Sequence, residues 1–222
     1  MNLRPLLILA IAVLAGAAFT VSAQAAAPPA YEGLVPVASR NFDELYLRPD
    51  ADLAGYRRVM VDPVPVELHP YWLRNMNYTR NVSRWLGPDD ARRIAEDASA
   101  SLYSSVAEAF KARGYEIASA PEPGVLRVSP AISDLYVNAP DRHSPWRTKT
   151  FTREAGDAAL FLEARDAVTG TLLGRVVHHG RAQEMGRFSR ANDVSNRFWF
   201  EAVFRRWAVN CVAEFEAGRN WP

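Results

Sequence analysis

Alternating apolar and polar positions predict several strands in the middle of the chain. We expect them at residues 56–66, 115–118, 125–137, 157–166 and 172–179. Pro63 and Pro65 each remove a backbone donor from the first strand, so its second half must lie at a sheet edge or leave the sheet. The last two strands form a predicted hairpin, whose turn starts at Asp166 and ends at Gly170.

Apolar residues that recur every three or four positions predict two long helices. The first begins near Pro88, which suits a first helical turn, and ends at Gly114, which suits a C-cap. The second covers about residues 193–217. We interpret residues 40–55 as a loop with one helical turn, and residues 69–85, which fit no period, as an irregular segment. The apolar face of the second helix comprises Phe200, Phe204, Trp207, Cys211 and Phe215.

Together these elements indicate an α+β fold. We predict a two-layer sandwich, in which a mostly antiparallel sheet of four to five strands carries two long helices on one face. The link from the first strand to the second passes through a helix, so that pair is expected to be parallel.

The N-terminus has the three-part pattern of an export signal. Arg4 supplies a positive charge, residues 6–19 form an apolar or small-residue core, and Ala23 and Ala25 form an A-x-A cleavage site. We therefore predict a signal peptide at residues 1–25, a flexible N-terminal linker at 26–39 and a single α+β domain at 40–222. The expected product is periplasmic and free of the membrane after cleavage.

Two alternatives concern that segment. An uncleaved membrane anchor needs roughly 20 apolar residues, and this core is shorter. A lipoprotein signal needs a cysteine directly after the cleavage site, but the one cysteine in the chain is Cys211. The sequence thus predicts no lipid anchor, and membrane contact only through the signal segment before cleavage. One cysteine also forms no intramolecular disulfide, and its helical pattern predicts a buried thiol.

Charge argues against nucleic acid and against an anionic membrane as partners. The formal net charge is +1, and removal of Arg4 with the signal brings it to zero, so no basic footprint exists.

Residues able to carry chemistry are present, but no catalytic motif joins them. His178 and His179 are neighbours on a strand, so their side chains point to opposite faces and do not readily share a metal. Asp134, Asp157 and Glu163 lie on or beside central strands, where acid–base work would require them to converge. We interpret Glu163 and Arg165 as an exposed ion pair. Nucleophile-elbow, dinucleotide-binding and phosphate-loop patterns are missing, so we assign no catalytic, cofactor-binding or metal-binding residue.

Three strings taken together resemble a bacterial family, domain of unknown function 3313. They are YRRVMVDPV at residues 56–64, LRVSPAISDL at 126–135 and LEARDAVTG at 162–170. The resemblance covers about residues 33–215. It implies an exported envelope protein, many members being lipoproteins, and it transfers no activity or catalytic residue.

The sequence therefore favours a non-enzymatic envelope binding or assembly module, whose expected partner is another envelope protein. An exposed aromatic residue among Phe198, Trp199 and Phe200 could mark a partner surface. Two alternatives stay open. One is a hydrolase whose carboxylates converge only in the fold, and the other is a carrier of a small apolar ligand held between sheet and helices. Asn77 and Asn81 also match the glycosylation acceptor pattern.

Overall fold

A computed structural model describes residues 33–78, 80–137, 151–152, 154–183, 189–190 and 193–219. The predicted signal peptide, residues 1–25, lies outside these ranges, as do residues 26–32 of the predicted linker. The side chains of Phe198 and Trp199 also lie outside the described part, and with them the aromatic surface expected there.

An open sheet of eight strands organises the described residues. In chain order the strands are β1 (Val35–Pro36), β2 (Glu44–Leu47), β3 (Arg58–Val61), β4 (Val66–Leu68), β5 (Glu116–Ile117), β6 (Val125–Val137), β7 (Phe151–Thr152), β8 (Glu154–Asp166), β9 (Leu172–Gln183) and β10 (Ser189–Arg190). The order across the sheet is β1-β2-β9-β8-β6-β3-β5, and β4 also pairs with β6. β7 and β10 form a separate two-stranded sheet. β3 pairs in parallel with both β5 and β6, as the helical link predicts for the first pair.

The three longest strands, β6, β8 and β9, form the centre of the sheet. Their pairing is antiparallel, and the predicted β8–β9 hairpin is confirmed. Asp166 Oδ1 accepts hydrogen bonds from the backbone N–H groups of Val168 and Thr169, while Gly170 has a φ of 72°. Asp166 therefore starts the turn and Gly170 provides its left-handed residue, as the sequence predicts.

Three α-helices lie within the described residues: α1 (Trp72–Tyr78), α2 (Pro88–Ala112) and α3 (Asp193–Gly218). At the start of α2, the Asp90 carboxylate accepts a hydrogen bond from the Gly87 backbone N–H at 3.0 Å, and Pro88 occupies the first turn. Gly114 follows the helix with a φ of 85°. The helix therefore begins and ends where the sequence predicts. At its start Pro88 has no N–H group that needs a partner, and at its end Gly114 adopts the left-handed conformation of a C-cap.

The two long helices share one hydrophobic core with one face of the sheet. Leu102 and Val106 of α2, and Phe204 and Trp207 of α3, are almost fully buried in a single cluster. The sheet contributes a matching set from alternate positions: Val59, Val61, Leu126, Val128, Ile132, Leu160, Leu162 and Val176. The predicted two helices on one face are thus present, since both helices need the same apolar surface.

The sheet is larger than the predicted four to five strands. The additional strands β1, β2 and β4 contain two to four residues each, too few for alternation to be recognised in the sequence, whereas β5 lies where a strand is predicted at residues 115–118. β2 lies in residues 40–55, for which the sequence predicts a loop with one helical turn; a short 3₁₀ helix, Leu53–Gly55, is present there, but the strand is not predicted. β1 lies in residues 26–39, for which the sequence predicts a linker. Pairing with a neighbouring strand, and not a pattern in their own residues, brings β1 and β2 into the sheet: β1 pairs with β2, and β2 pairs with β9.

The proline prediction for the first strand is confirmed. β3 ends at Val61, and the chain rejoins β6 only at Val66, after Pro63 and Pro65. Pro65 still accepts a hydrogen bond from the Ile132 backbone N–H at 3.0 Å, because proline retains its carbonyl.

Candidate functional site

Residues 69–86 leave the sheet after β4 and reach the start of α2, and we call them the aromatic excursion. They contain α1 and a short 3₁₀ helix, Val82–Arg84. We interpreted this segment as irregular, and α1 corrects that interpretation. The helix has seven residues, fewer than the window over which a helical period is recognisable.

Trp72 anchors the excursion to the sheet. Its side chain is 1% exposed, and its indole Nε1 donates to the carbonyl of Val137, the last residue of β6, at 2.8 Å. Close by, the His69 backbone N–H donates to the Leu135 carbonyl at 3.0 Å. The start of the excursion is therefore fixed to the end of β6 by burial and by hydrogen bonds.

Asn77 closes the other end of the excursion. Its amide Nδ2 donates to the Leu86 carbonyl at 2.9 Å, and its Oδ1 accepts from the Leu86 backbone N–H at 2.8 Å. Trp85 Nε1 also donates to the Arg80 carbonyl at 3.1 Å. Because these bonds fix the backbone, the outward side chains are held in place before any partner arrives, which lowers the entropic cost of binding.

Large hydrophobic side chains are exposed on this segment. Tyr78 is 89% exposed, Val82 74%, Trp85 56% and Tyr71 53%. These four are half of the eight exposed large hydrophobics among the described residues. Single exposed hydrophobics are ordinary on protein surfaces, but a group of four within fifteen positions indicates an interaction surface.

The same segment is uniformly basic. From residue 68 to residue 88 the sequence contains Arg74, Arg80 and Arg84, and it contains no acidic residue. The Arg74 guanidinium lies 4.3 Å from the centroid of the Tyr71 ring, a cation–π contact. The acids that follow, Asp89 and Asp90, form ion pairs with arginines of α2 and do not neutralise the excursion.

This arrangement has the composition of a binding surface. Tyr, Trp and Arg are the residues that contribute most binding energy at interfaces. The excursion presents all three types on a backbone whose hydrogen bonds are internal. These exposed residue types are typical of surfaces that recognise a partner.

The two histidines do point to opposite faces, as predicted. His178 contacts the rings of Phe42 and Trp207, whereas the His179 side chain is 73% exposed. Asp43 joins them at the sheet edge: its Oδ2 accepts the His179 backbone N–H at 2.7 Å and lies 3.3 Å from each Nδ1. The backbone hydrogen bond from His179 lowers the pKa of Asp43 below its ordinary value. Within the described ranges, no three His, Cys, Asp or Glu residues are grouped to hold a metal.

Two of the three carboxylates considered for catalysis, Asp134 and Asp157, lie near each other in the pairing of β6 with β8, where Asp157 pairs with Tyr136, and the third, Glu163, lies apart from them. Asp134 is exposed, in a bulge of β6 with a φ of 52°, and Asp157 is exposed near the start of β8. Glu163 is six positions further along β8, which corresponds to about 20 Å. Since an acid–base pair must act on one bond, Glu163 and Asp157 do not form one.

Glu163 is held by two arginines instead. Its carboxylate accepts hydrogen bonds from Arg165 Nε at 3.1 Å on its own strand and from Arg175 Nε at 3.0 Å on β9. The predicted Glu163–Arg165 pair is thus present, but it is half-buried and shared with Arg175. Partial burial raises the pKa of Glu163, but the two arginines together outweigh it, and the pKa lies below its ordinary value.

An apolar cavity of about 40 Å³ lies between the sheet and the two long helices. Its lining includes Leu45, Phe110, Val128, Cys211 and Phe215. A site for a drug-sized ligand needs several hundred Å³, so this cavity is too small for the apolar ligand of the carrier alternative.

Cys211 is buried, as predicted. Burial is the larger cause, and the nearby charge of Glu214 the smaller one, that together raise the pKa of its thiol to about 12.

Sequence reasoning noticed the aromatic residues of the excursion but did not identify it as a site. The charge pattern could have identified it, because three arginines and no acidic residue occur over 21 positions of a chain whose net charge is near zero. Asn77 also matches the glycosylation acceptor pattern, but in the folded chain both polar atoms of its amide form hydrogen bonds with Leu86, which gives it a structural role.

In the part of the chain that the structure describes, no helix combines the length and the apolar character needed to cross a membrane.

Comparison with solved structures gives distant similarities. One is to the PelC dodecamer from Paraburkholderia phytofirmans, with 13% identity, a TM-score of 0.37 and coverage of 75% of this chain and 96% of that one. A second is to a DUF330 protein from Xanthomonas campestris, with 11% identity, a TM-score of 0.41 and coverage of 74% and 86%. A third is to a homologue of a neuraminyllactose-binding hemagglutinin from Helicobacter pylori, with 11% identity, a TM-score of 0.39 and coverage of 83% and 94%.

No curated protein matches the chain significantly. One family model does match, and it covers residues 22–210, which include the three strings quoted above and nearly all of the described fold. The chain therefore belongs to the family described as Protein of unknown function (DUF3313).

Proposed function

We propose that this protein is a non-enzymatic binding module of the periplasm, and that it binds another component of the cell envelope through the aromatic excursion. The observation that carries the proposal is the exposure of Tyr78, Val82, Trp85 and Tyr71 on a segment that Trp72 and Asn77 hold rigidly. Exposed aromatic side chains on an ordered backbone favour an interface over a catalytic centre.

The export pattern of residues 1–25 supports the compartment. Export would bring the excursion to a compartment where envelope proteins and lipids are the available partners. The exposure of Asp134 and Asp157, the engagement of Glu163 by two arginines and the small size of the apolar cavity favour a binding function over the hydrolase and carrier alternatives.

Photo-crosslinking in living cells tests the proposal. A photoreactive phenylalanine analogue replaces Tyr78 in one strain and Tyr103, a 39% exposed tyrosine of α2, in a matched control strain. We expect irradiation to produce an adduct with an envelope component from position 78 and none from position 103. Adducts from both positions, or from neither, would contradict the proposal.

The compartment has its own test. Fractionation is expected to recover the protein outside the cytoplasm, shortened at Ala25. Recovery of intact chain in the cytoplasm with Met1 attached would overturn the periplasmic assignment, and turnover of a substrate by the purified protein would overturn the non-enzymatic one.

A further inference from the structure

We propose that the component bound by the aromatic excursion is the anionic surface of a phospholipid bilayer. This inference rests on the proposed function and specifies its partner. It departs from the expectation, drawn from the neutral net charge and from the lack of an anchor, that only the signal segment contacts a membrane, because net charge does not show how charge is distributed along the chain.

The exposed residue types are those that prefer a membrane interface. Trp and Tyr collect at the headgroup level of bilayers, where one part of the ring meets hydrocarbon and the other meets water. Trp85, Tyr78 and Tyr71 provide three such rings, and Val82 adds an aliphatic side chain between them in the sequence. Apolar burial in the boundary of headgroups and acyl chains would remove these side chains from water.

The backbone at the tip of the excursion is already paired, which suits a region poor in water. The Arg84 N–H donates to the Asn81 carbonyl at 2.8 Å, and the Trp85 N–H donates to the Val82 carbonyl at 3.2 Å. The indole N–H of Trp85 is also satisfied, by Arg80. Unpaired backbone groups are costly in an apolar environment, so this internal pairing lowers the cost of entering the interface.

The local charge complements anionic lipid. Arg74, Arg80 and Arg84 lie in the stretch without acids, and each arginine near an anionic membrane surface strengthens binding by about fivefold. The whole chain has a formal charge of only +1, so any attraction of this kind comes from the excursion and not from the net charge.

The size of the surface favours a bilayer over an acidic protein. Ten of the described residues in the excursion are exposed, whereas a standard protein interface uses about 20 to 30 residues on each side. A bilayer needs no complementary shape and accepts a small group of protruding rings and arginines.

Sedimentation with vesicles tests the inference. The purified full chain is mixed with vesicles of pure phosphatidylglycerol or pure phosphatidylcholine, and the bound fraction is measured at low and high salt. We expect binding to phosphatidylglycerol that salt weakens, and much weaker binding to phosphatidylcholine. Equal binding to both lipids, or binding to neither, would overturn the inference.

Two pairs of variants localise the binding. Tyr78→Ser with Val82→Ser removes exposed hydrophobic side chains from the excursion, and Tyr103→Ser with Val209→Ser removes the same residue types from α2 and α3. Arg74→Gln with Arg84→Gln is matched by Arg205→Gln with Arg206→Gln on exposed positions of α3. Both excursion variants are expected to bind phosphatidylglycerol more weakly, the arginine variant by about 30-fold, while both controls bind as the parent does.

The comparisons between variants are independent of residues 1–25, which every variant shares. Every variant is checked for a thermal unfolding transition equal to that of the parent. If the Tyr78→Ser, Val82→Ser variant unfolds, the Arg74→Gln, Arg84→Gln variant and its control are used for the test. Equal losses in excursion and control variants would contradict the inference. If position 78 crosslinks to a protein in cells while vesicles are not bound, the binding function stands and the lipid assignment is wrong.

Discussion

The indole ring of Trp207 in α3 lies directly against the backbone of Gly180 in β9. A Cβ atom built at Gly180 would overlap Cζ2 and Cε2 of that ring. Trp207 is 1% exposed and packs among His178 and Phe204, so the ring has no space into which to move. The final helix and β9 therefore meet at a position that only glycine fits.

Gly180→Ala is expected to lower the free energy of unfolding by about 1–3 kcal/mol, because the added methyl group overpacks the contact with Trp207. Denaturation by urea, followed by circular dichroism, measures the change. Gly55→Ala is the matched control: its Cβ would meet Asp52 Oδ2 at 3.7 Å, an ordinary contact distance. A control variant as destabilised as Gly180→Ala would show that the contact is not the cause.

Glu163→Gln tests the ion pairs on the open face of the sheet. The substitution removes the charge shared by Arg165 and Arg175 and is expected to lower the free energy of unfolding at neutral pH by about 1 kcal/mol. Glu122→Gln, which alters an exposed pair with Arg58, is expected to cost less than about 0.5 kcal/mol.

The effect of Glu163 should also depend on pH. Its pKa in the folded protein is lower than its ordinary value of 4.5, so the unfolded chain binds the proton more readily. The stabilisation is therefore complete above that ordinary value and disappears as the pH decreases through the folded pKa. Urea midpoints across the acid range should converge for the parent and Glu163→Gln. A difference that stays constant down to low pH would contradict this assignment.

Asn77→Ala removes the two hydrogen bonds that close the aromatic excursion on Leu86. We expect a loss of about 1–2 kcal/mol, because both backbone groups of Leu86 lose their partner. Hydrogen exchange at the Leu86 amide should accelerate at least about tenfold, since local opening becomes easier. Asn75→Ala, at an exposed position of α1, is the control and should leave that exchange rate unchanged. Unchanged exchange in Asn77→Ala would show that Asn77 does not close the segment.

Cys211 should resist thiol reagents in the folded protein. Burial raises the pKa of its thiol to about 12, so the reactive thiolate is scarce at pH 8 and the sulfur is inaccessible. A chromogenic disulfide reagent is expected to modify the chain only after unfolding. The variant Cys211→Ala with Val209→Cys moves the thiol two positions, to a 47% exposed site on the same helix, and should react at once. Rapid reaction of the folded parent would contradict the burial.

Local signals in the sequence were sufficient for the long elements. Pro88 and Gly114 bound α2, Asp166 and Gly170 make the hairpin turn, and Pro63 interrupts the first strand, all by effects that act within a few residues. The short elements were not recognisable in this way. β2 exists because it pairs with β9, and β1 exists because it pairs with β2. α1 exists because Trp72 is buried against the end of β6.

For the candidate site, too, part of the description follows from the sequence and part only from the tertiary structure. The sequence by itself determined the composition of the excursion, its three arginines and its aromatic residues, as well as the absence of acids from residue 68 to residue 88. Only the tertiary structure decided which aromatic rings are buried and which are exposed. Trp72 and Trp85 are the same residue type, thirteen positions apart, yet one is 1% exposed and the other 56%. The difference arises because the Val137 carbonyl and the surrounding core receive Trp72, a long-range contact that no local pattern specifies.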